Sequence, residues 1–169
     1  MSAVAHSPGE PRPLVLVDGR SGAGKTQWAI DWGRESGLAV LSLDDIYPGW
    51  DGLDAGAFQA FRHGIVPWAR GEVGRVRTWD WSTGEPGGWI ELDPGVGLII
   101  EGCGALSGRS APYATKRYWI EAEAELRHRR VIERDGDTSA PHWRRWALQE
   151  DRFYGIHRSR DLADQVIQT

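Results

Sequence analysis

The sequence predicts an α/β fold built on a mainly parallel sheet. Three observations carry that expectation: short apolar runs at 14–17, 38–43 and 98–100, of which only the second is interrupted, by Ser42, helical patterns between such runs, and a glycine-rich turn directly after the first of them. A strand buried on both faces reads as a continuous apolar run, and strands that alternate with helices need crossovers that leave them parallel. With 169 residues the chain fits one ordinary domain.

Residues 1–13 carry Ser7, Pro8, Gly9, Pro11 and Pro13 without an apolar period and are expected to form a flexible leader ahead of a single domain over 14–169. Leu14-Val15-Leu16-Val17 is the first strand. After the glycine-rich turn, residues 26–36 carry Trp28, Ala29, Ile30 and Trp32 and stop at Gly37, as a helix with a glycine C-cap does. Residues 38–43 form the second strand, closed by Asp44-Asp45. The stretch 49–94 is the least regular: 55–63 can make a helix, and glycines, prolines and tryptophans are expected to break the chain beyond it. Strands at 98–100, 117–120 and 165–168, with helices at 123–134 and 142–153, complete a five-stranded sheet.

Composition narrows the function. Hydrophobic residues are 40% and charged residues 26% of the chain, which excludes a disordered tail. No apolar run approaches the roughly 18 residues of a spanning helix, so no membrane partner is expected. Lys+Arg 20 against Asp+Glu 24 lacks the basic excess of a phosphate-backbone binder, which disfavours nucleic acid. A lone Cys103 and the absence of a secretory layout make the cytoplasm the expected compartment. Cys103 reads as a small packed residue, and the histidines show no metal-ligand spacing.

Gly19-Arg20-Ser21-Gly22-Ala23-Gly24-Lys25-Thr26 fits G-x-x-x-x-G-K-[ST] at every fixed position, between a strand and a helix as the motif requires. The glycines permit backbone angles that turn successive N–H groups, Ser21 and Ala23 included, toward anionic oxygens at a helix N-terminus. Lys25 adds a mobile charge for β- and γ-phosphates. The Thr26 hydroxyl suits Mg²⁺, a hard cation that favours oxygen ligands and nucleotide phosphates. ATP and Mg²⁺ are the implied cofactors.

Ligands of open parallel sheets gather at the carboxyl ends of the strands. Asp44 and Asp45 end one strand there, and Glu101 ends another. One carboxylate beside a γ-phosphate can deprotonate an acceptor hydroxyl, and another can hold Mg²⁺. Asp44 is the candidate base, with Glu101, Thr26 and Asp44 as candidate metal ligands.

The phosphate loop, Leu41-Ser42-Leu43-Asp44-Asp45-Ile46-Tyr47 and Ile99-Ile100-Glu101-Gly102 together resemble the uridine kinase and phosphoribulokinase family of P-loop kinases. The resemblance implies a P-loop NTPase three-layer α/β/α sandwich. It assigns the base to Asp44 and magnesium assistance to Glu101, and Ile46 stands where the family usually has Phe. An arginine-rich lid over 127–140 is similar to the family's, with Arg127 and Arg130 on the transferring phosphate and Arg130 and Arg134 on the nucleotide. Exposed i,i+4 pairing on the same helix is the structural alternative. Trp79-Asp80-Trp81 resembles the family's Y-D-F segment of the nucleoside pocket, but Gly84 occupies the position of the uracil-reading histidine. The lid after Asp135 is also short. The acceptor side is thus expected to be remodelled, with Asp45, Tyr47, Trp50, Trp79 and Asp80 as candidate substrate contacts.

Ten tryptophans make up an unusual share of the chain. Trp28 with Trp32, and Trp143 with Trp146, have helical spacing and read as packing residues, whereas Trp50, Trp79, Trp81 and Trp89 lie where an acceptor pocket could be walled. The expected activity is transfer of the ATP γ-phosphate to a nucleoside-like, sugar or other small alcohol, by a monomer or homodimer. Nucleotide hydrolysis and a non-catalytic ATP-binding module are the alternatives. No N-K-x-D segment supports a GTPase.

Overall fold

The computed structural model describes residues 12–169, so the expected leader lies outside the described residues except for Arg12 and Pro13. Strand β1 (Leu14–Asp18) is buried along its whole length and lies at the centre of a five-stranded sheet. The other strands are β2 (Ala39–Ser42), β5 (Leu98–Glu101), β6 (Lys116–Glu121) and β7 (Gln165–Gln168), in the order β2-β5-β1-β6-β7. Every pairing in this sheet is parallel. In β1, side chains alternate between two cores. Leu14 and Leu16 join Leu41, Leu98, Ile100, Trp146 and Phe153 on one face, and Val15 and Val17 join Ala29, Ile99 and Ile120 on the other. Both layers are apolar because helices cover both faces, and this gives the three-layer α/β/α arrangement.

Helix α1 (Lys25–Ser36) covers the second face, where Trp28 and Trp32 pack with Tyr118 at centroid distances of 4.9 and 5.4 Å. It ends at Gly37, left-handed at φ 73°, whose N–H donates to the Gly33 carbonyl at 2.9 Å. On the opposite face, α2 (Leu53–Gln59) continues through a π turn (Ala60–Ile65) into α3 (Val66–Ala69). The expected helix over 55–63 is therefore extended at both ends. Pro67 stands directly after the π turn, at the second residue of α3.

The largest correction concerns the residues after that helix. They are not irregular: β3 (Gly74–Asp80) and β4 (Glu85–Leu92) form an antiparallel hairpin, with a register shift between Arg77 and Trp79. Its glycines mark close approaches instead of breaks. A Cβ on Gly74 would lie 2.6 Å from the Gly64 carbonyl oxygen, and one on Gly87 would lie 2.5 Å from Thr78 Oγ1. Gln59 fastens the hairpin to the helix, since its Oε1 accepts the Arg77 N–H at 2.5 Å and its Nε2 donates to the Arg77 and Ile46 carbonyls at 3.3 and 3.4 Å.

Helices α4 (Ala124–Asp135), α5 (Trp143–His157) and α6 (Ser159–Leu162) complete the chain, and no described helix is long and apolar enough to cross a membrane. Gln59→Ala should strand the Arg77 N–H and lower stability by about 1–3 kcal/mol. Denaturant unfolding reads the loss, and hydrogen exchange should show it concentrated over 74–92.

Candidate active site

The phosphate loop runs from the end of β1 into α1, and its shape depends on contacts that a side chain would destroy. A Cβ on Gly19 (φ 150°) would sit 2.2 Å from the Ile120 carbonyl oxygen, and one on Gly22 (φ 80°) 2.3 Å from that of Arg127. These two positions require glycine for both space and conformation. Gly24, at φ 95°, opens α1.

Lys25 is buried behind this loop, with Nζ donating to the Arg20 carbonyl at 3.0 Å and to Cys103 Sγ at 3.6 Å. Burial by itself would push the ammonium down. The carboxylates of Glu101, Asp18 and Glu150 around it pull the other way and hold Lys25 as a cation. Burial pushes the Cys103 thiol far up, which leaves a protonated packing group whose Sγ lies 3.3 Å from the Gly19 carbonyl oxygen. Glu101 is almost fully buried, and its Oε1 accepts from Thr26 Oγ1 at 3.0 Å and from Ser42 Oγ at 2.5 Å. Its carboxyl is pushed up by burial, against the pull of Lys25 and these two hydroxyls.

Two further acids hold the loop. Asp18 is fully buried and collects four donors: Oδ1 takes the Gly19 N–H, the Gly104 N–H and the Tyr154 hydroxyl at 2.7, 3.1 and 2.7 Å, and Oδ2 takes the Leu106 N–H at 2.8 Å. Burial still prevails over those bonds and pushes its carboxyl up to about 6. Glu150, buried on α5, accepts the Ser21 N–H at 2.6 Å and faces Arg20 at 3.4 Å.

These groups edge one cleft of about 990 Å³ at the carboxyl end of the sheet. Ser21, Gly22, Gly24, Lys25, Thr26 and Glu101 line it on the phosphate side, and Asp44 and Asp45 face them from a short turn (Leu43–Asp45) after β2. Burial and then the adjacent Asp44 charge push the Asp45 carboxyl up. The far wall is aromatic. Trp50 stacks on His142 at 4.3 Å and 7° and meets Trp81 at 5.0 Å and 59°, while Trp146 approaches it edge-on at 6.5 Å. Tyr47 lines the floor, with its hydroxyl donating to the Cys103 carbonyl at 2.7 Å.

The arginines divide. Arg130 and Arg134 line the cleft, Arg130 donating to the Gly22 carbonyl at 3.3 Å and Arg134 forming a bidentate pair with Asp135 at 2.7 Å. Arg127 lies outside the lining and donates to the Ala122 and Ser21 carbonyls at 3.1 and 3.3 Å, which places it behind the loop as a brace. Gly19 and Ala23 shape the loop without lining the cleft. Trp79 and Asp80 also stay out of it, because the Asp80 carboxylate closes the hairpin turn on Ser82 N–H and Oγ at 2.9 and 2.6 Å. Trp81 enters instead, held by its Nε1–H on the Asp44 carbonyl at 2.9 Å.

No protein-family model and no curated protein matches the sequence. Solved structures do. A possible uridine kinase from Bacillus stearothermophilus superposes with a TM-score of 0.62 at 18% identity over 95% of this chain and 91% of that one. Phosphoribulokinase from Rhodobacter spheroides gives 0.59 at 18% identity over 94% and 70%, and a sugar kinase from a Janibacter species 0.57 at 16% over 94% and 86%. The chain has the uridine kinase and phosphoribulokinase-like P-loop kinase fold. At these identities the likeness is one of fold.

Within that P-loop kinase fold, sequence reasoning missed Ser42, Glu150 and Tyr154, each of which acts through a contact between segments distant in the chain. Trp146 was readable only as packing from its helical spacing, yet it both packs in the core and lines the cleft.

Asp18 gives the site a pH dependence. Its folded value of about 6 exceeds the ordinary 3.8, so its stabilising contribution is fully present below 3.8 and is lost as pH rises through about 6. Asp18→Asn should remove a slope of roughly 3 kcal/mol between pH 4 and 7, whatever its effect on absolute stability. Urea unfolding of both proteins across that range measures the difference.

Proposed function

We propose that this protein is an ATP-dependent kinase that moves the γ-phosphate to a hydroxyl of a small-molecule acceptor, with residues 14–169 as one catalytic domain that acts in the cytoplasm. The observation that carries the reading is the opposition, across one cleft, of the buried Lys25 and Glu101 with the open Thr26 hydroxyl on one side and the open Asp44 carboxylate beside an aromatic wall on the other. A site built only to hold nucleotide would need the first half alone. The small-molecule kinases that share the fold support the same reading.

The donor set fits magnesium. Among the described residues no group of three or more His, Cys, Asp or Glu could cage a metal, whereas Thr26 Oγ1 and Glu101 Oε1 lie 3.0 Å apart. That spacing matches the edge of an octahedron with bonds of about 2.1 Å, the geometry of a cation that keeps several waters and phosphate oxygens. Thr26 and Glu101 would hold it, with Asp44 facing them. Bound there, Mg²⁺ would neutralise charge on the phosphate oxygens.

The remaining work belongs to the chain. The Gly19, Ser21 and Ala23 N–H groups are taken by Asp18, Glu150 and the Arg20 carbonyl, against the expectation for Ser21 and Ala23. The remaining loop N–H groups and Lys25 would hold the phosphates, and Arg130 and Arg134 would swing from their present partners onto the transferring group, for which planar guanidinium is suited. Asp44 would accept the proton of the acceptor hydroxyl as its oxygen forms the new bond to phosphorus and the bond to the departing ADP oxygen breaks. The aromatic wall would exclude water from that line.

Asp44→Asn should retain ATP binding and lose about 10²–10⁴-fold in turnover, the usual contribution of a positioned general base. Lys25→Ala should weaken both. Calorimetric ATP titration and an acceptor screen that follows ADP release separate the two effects; unchanged turnover in Asp44→Asn would sink the base assignment. ADP formation that needs no acceptor would mean a hydrolase, and binding without ADP formation a regulatory module.

A further inference from the structure

The acceptor end of the cleft holds features that the phosphate machinery does not use. Trp81 is pinned to the Asp44 carbonyl, yet 41% of its surface stays open. With Trp50 and Trp146 it forms an indole wall that begins at the paired carboxylates. The basic side chains nearby belong elsewhere: Arg130, on the Gly22 carbonyl and the Thr169 hydroxyl, and Arg134, paired with Asp135, are the two assigned above to the transferring group, and Arg145 is paired with Asp51. Neither the Asp44 nor the Asp45 carboxylate has a hydrogen-bond or ion-pair partner among the described residues, although both line the cleft. Asp44 has the proton to receive, and Asp45 has no assigned work.

This imbalance selects by charge. A phosphorylated or carboxylated acceptor would approach two carboxylates with no unpaired cation on that wall to receive it. An indole face attracts a cation through its quadrupole, and a neighbouring carboxylate adds direct attraction. Resting on the kinase reading, we propose that the acceptor is an alcohol that also carries a protonated or quaternary amine. Asp45 and the Trp50–Trp81–Trp146 wall receive the amine while the hydroxyl faces Asp44. Because the two carboxylates belong to consecutive residues, the amine and the hydroxyl lie a few bonds apart.

The test uses the full chain with magnesium and a non-hydrolysable ATP analogue, and matched alcohols that differ in charge but hardly in shape: choline against 3,3-dimethylbutan-1-ol, and glucosamine against glucose. Binding is read by tryptophan fluorescence and calorimetry. At least one cation should bind about tenfold or more tightly than its neutral partner. Asp45→Asn should reduce that preference to about twofold or less, and Trp81→Leu should weaken cation binding similarly. Both side chains reach the open cleft, and thermal unfolding verifies that each variant folds. If no pair favours the cation, or if the preference survives both substitutions, the inference is overturned; ADP release that depends on a neutral alcohol would then leave the kinase reading standing. Cation binding that Asp45→Asn abolishes, without any alcohol-dependent ADP, would keep the pocket's charge selectivity and remove the kinase reading instead.

Discussion

The arrangement depends on one buried carboxylate. Asp18 closes the central strand, and its two oxygens gather the Gly19, Gly104 and Leu106 N–H groups and the Tyr154 hydroxyl. The phosphate loop, the loop after β5 and helix α5 are thereby joined at a single point without access to water. An acid so placed is costly unless its donors are in register, which is why each of these segments has little freedom. Lys25, Glu101, Glu150 and Cys103 fill the same interior. Burial pushes the Cys103 thiol and the Tyr154 phenol up and keeps both protonated, while the acidic neighbours hold the buried Lys25 ammonium charged against the same burial.

How far the sequence discloses this structure depends on the range of the interaction. The sheet strands and the phosphate loop were legible because their determinants are local: β1 is an unbroken apolar run, and the loop's glycines and lysine lie within eight residues. Strand 165–168 was legible for the same reason, although it carries only two aliphatic residues. The β3–β4 hairpin was not, because its glycines look like breaks until Gly64 and Thr78 are seen pressed against Gly74 and Gly87. Gln59, which ties that hairpin down, is one polar residue on a helix and carries no signal in sequence.

The same limit separates the expected residues that line the cleft from those that stay out of it. Asp44, Glu101 and Thr26 sit at strand or helix ends, where topology alone aims them at the cleft. Trp79, Asp80 and Trp81 depend on the hairpin register, and the irregularity between Arg77 and Trp79 helps decide which of them turns inward. Asp80 is drawn into the turn by Ser82 and Thr83, so the carboxylate that looked available is not. Arg127 had two readings on its helix, and its bonds to Ala122 and Ser21 are those of a brace.

Helix α5 links the halves of the cleft. At its start Trp143 and Trp146 line the wall; one turn on, the Gln149 amide donates to the Trp50 carbonyl at 2.6 Å and its Oε1 accepts the Leu53 N–H at 3.3 Å. Next, Glu150 holds the Ser21 N–H, and Tyr154 reaches Asp18. Side chains at 146, 150 and 154 are four apart and 149 is three beyond 146, so one side of the helix touches the aromatic wall, the α2 start, the phosphate loop and the buried acid in succession. A rigid helix transmits displacement along its axis far better than a loop does. The aromatic end of the cleft and the phosphate loop are thus held by one rigid element, whose last contact with the loop is the bond from the Ser21 N–H to the Glu150 carboxylate.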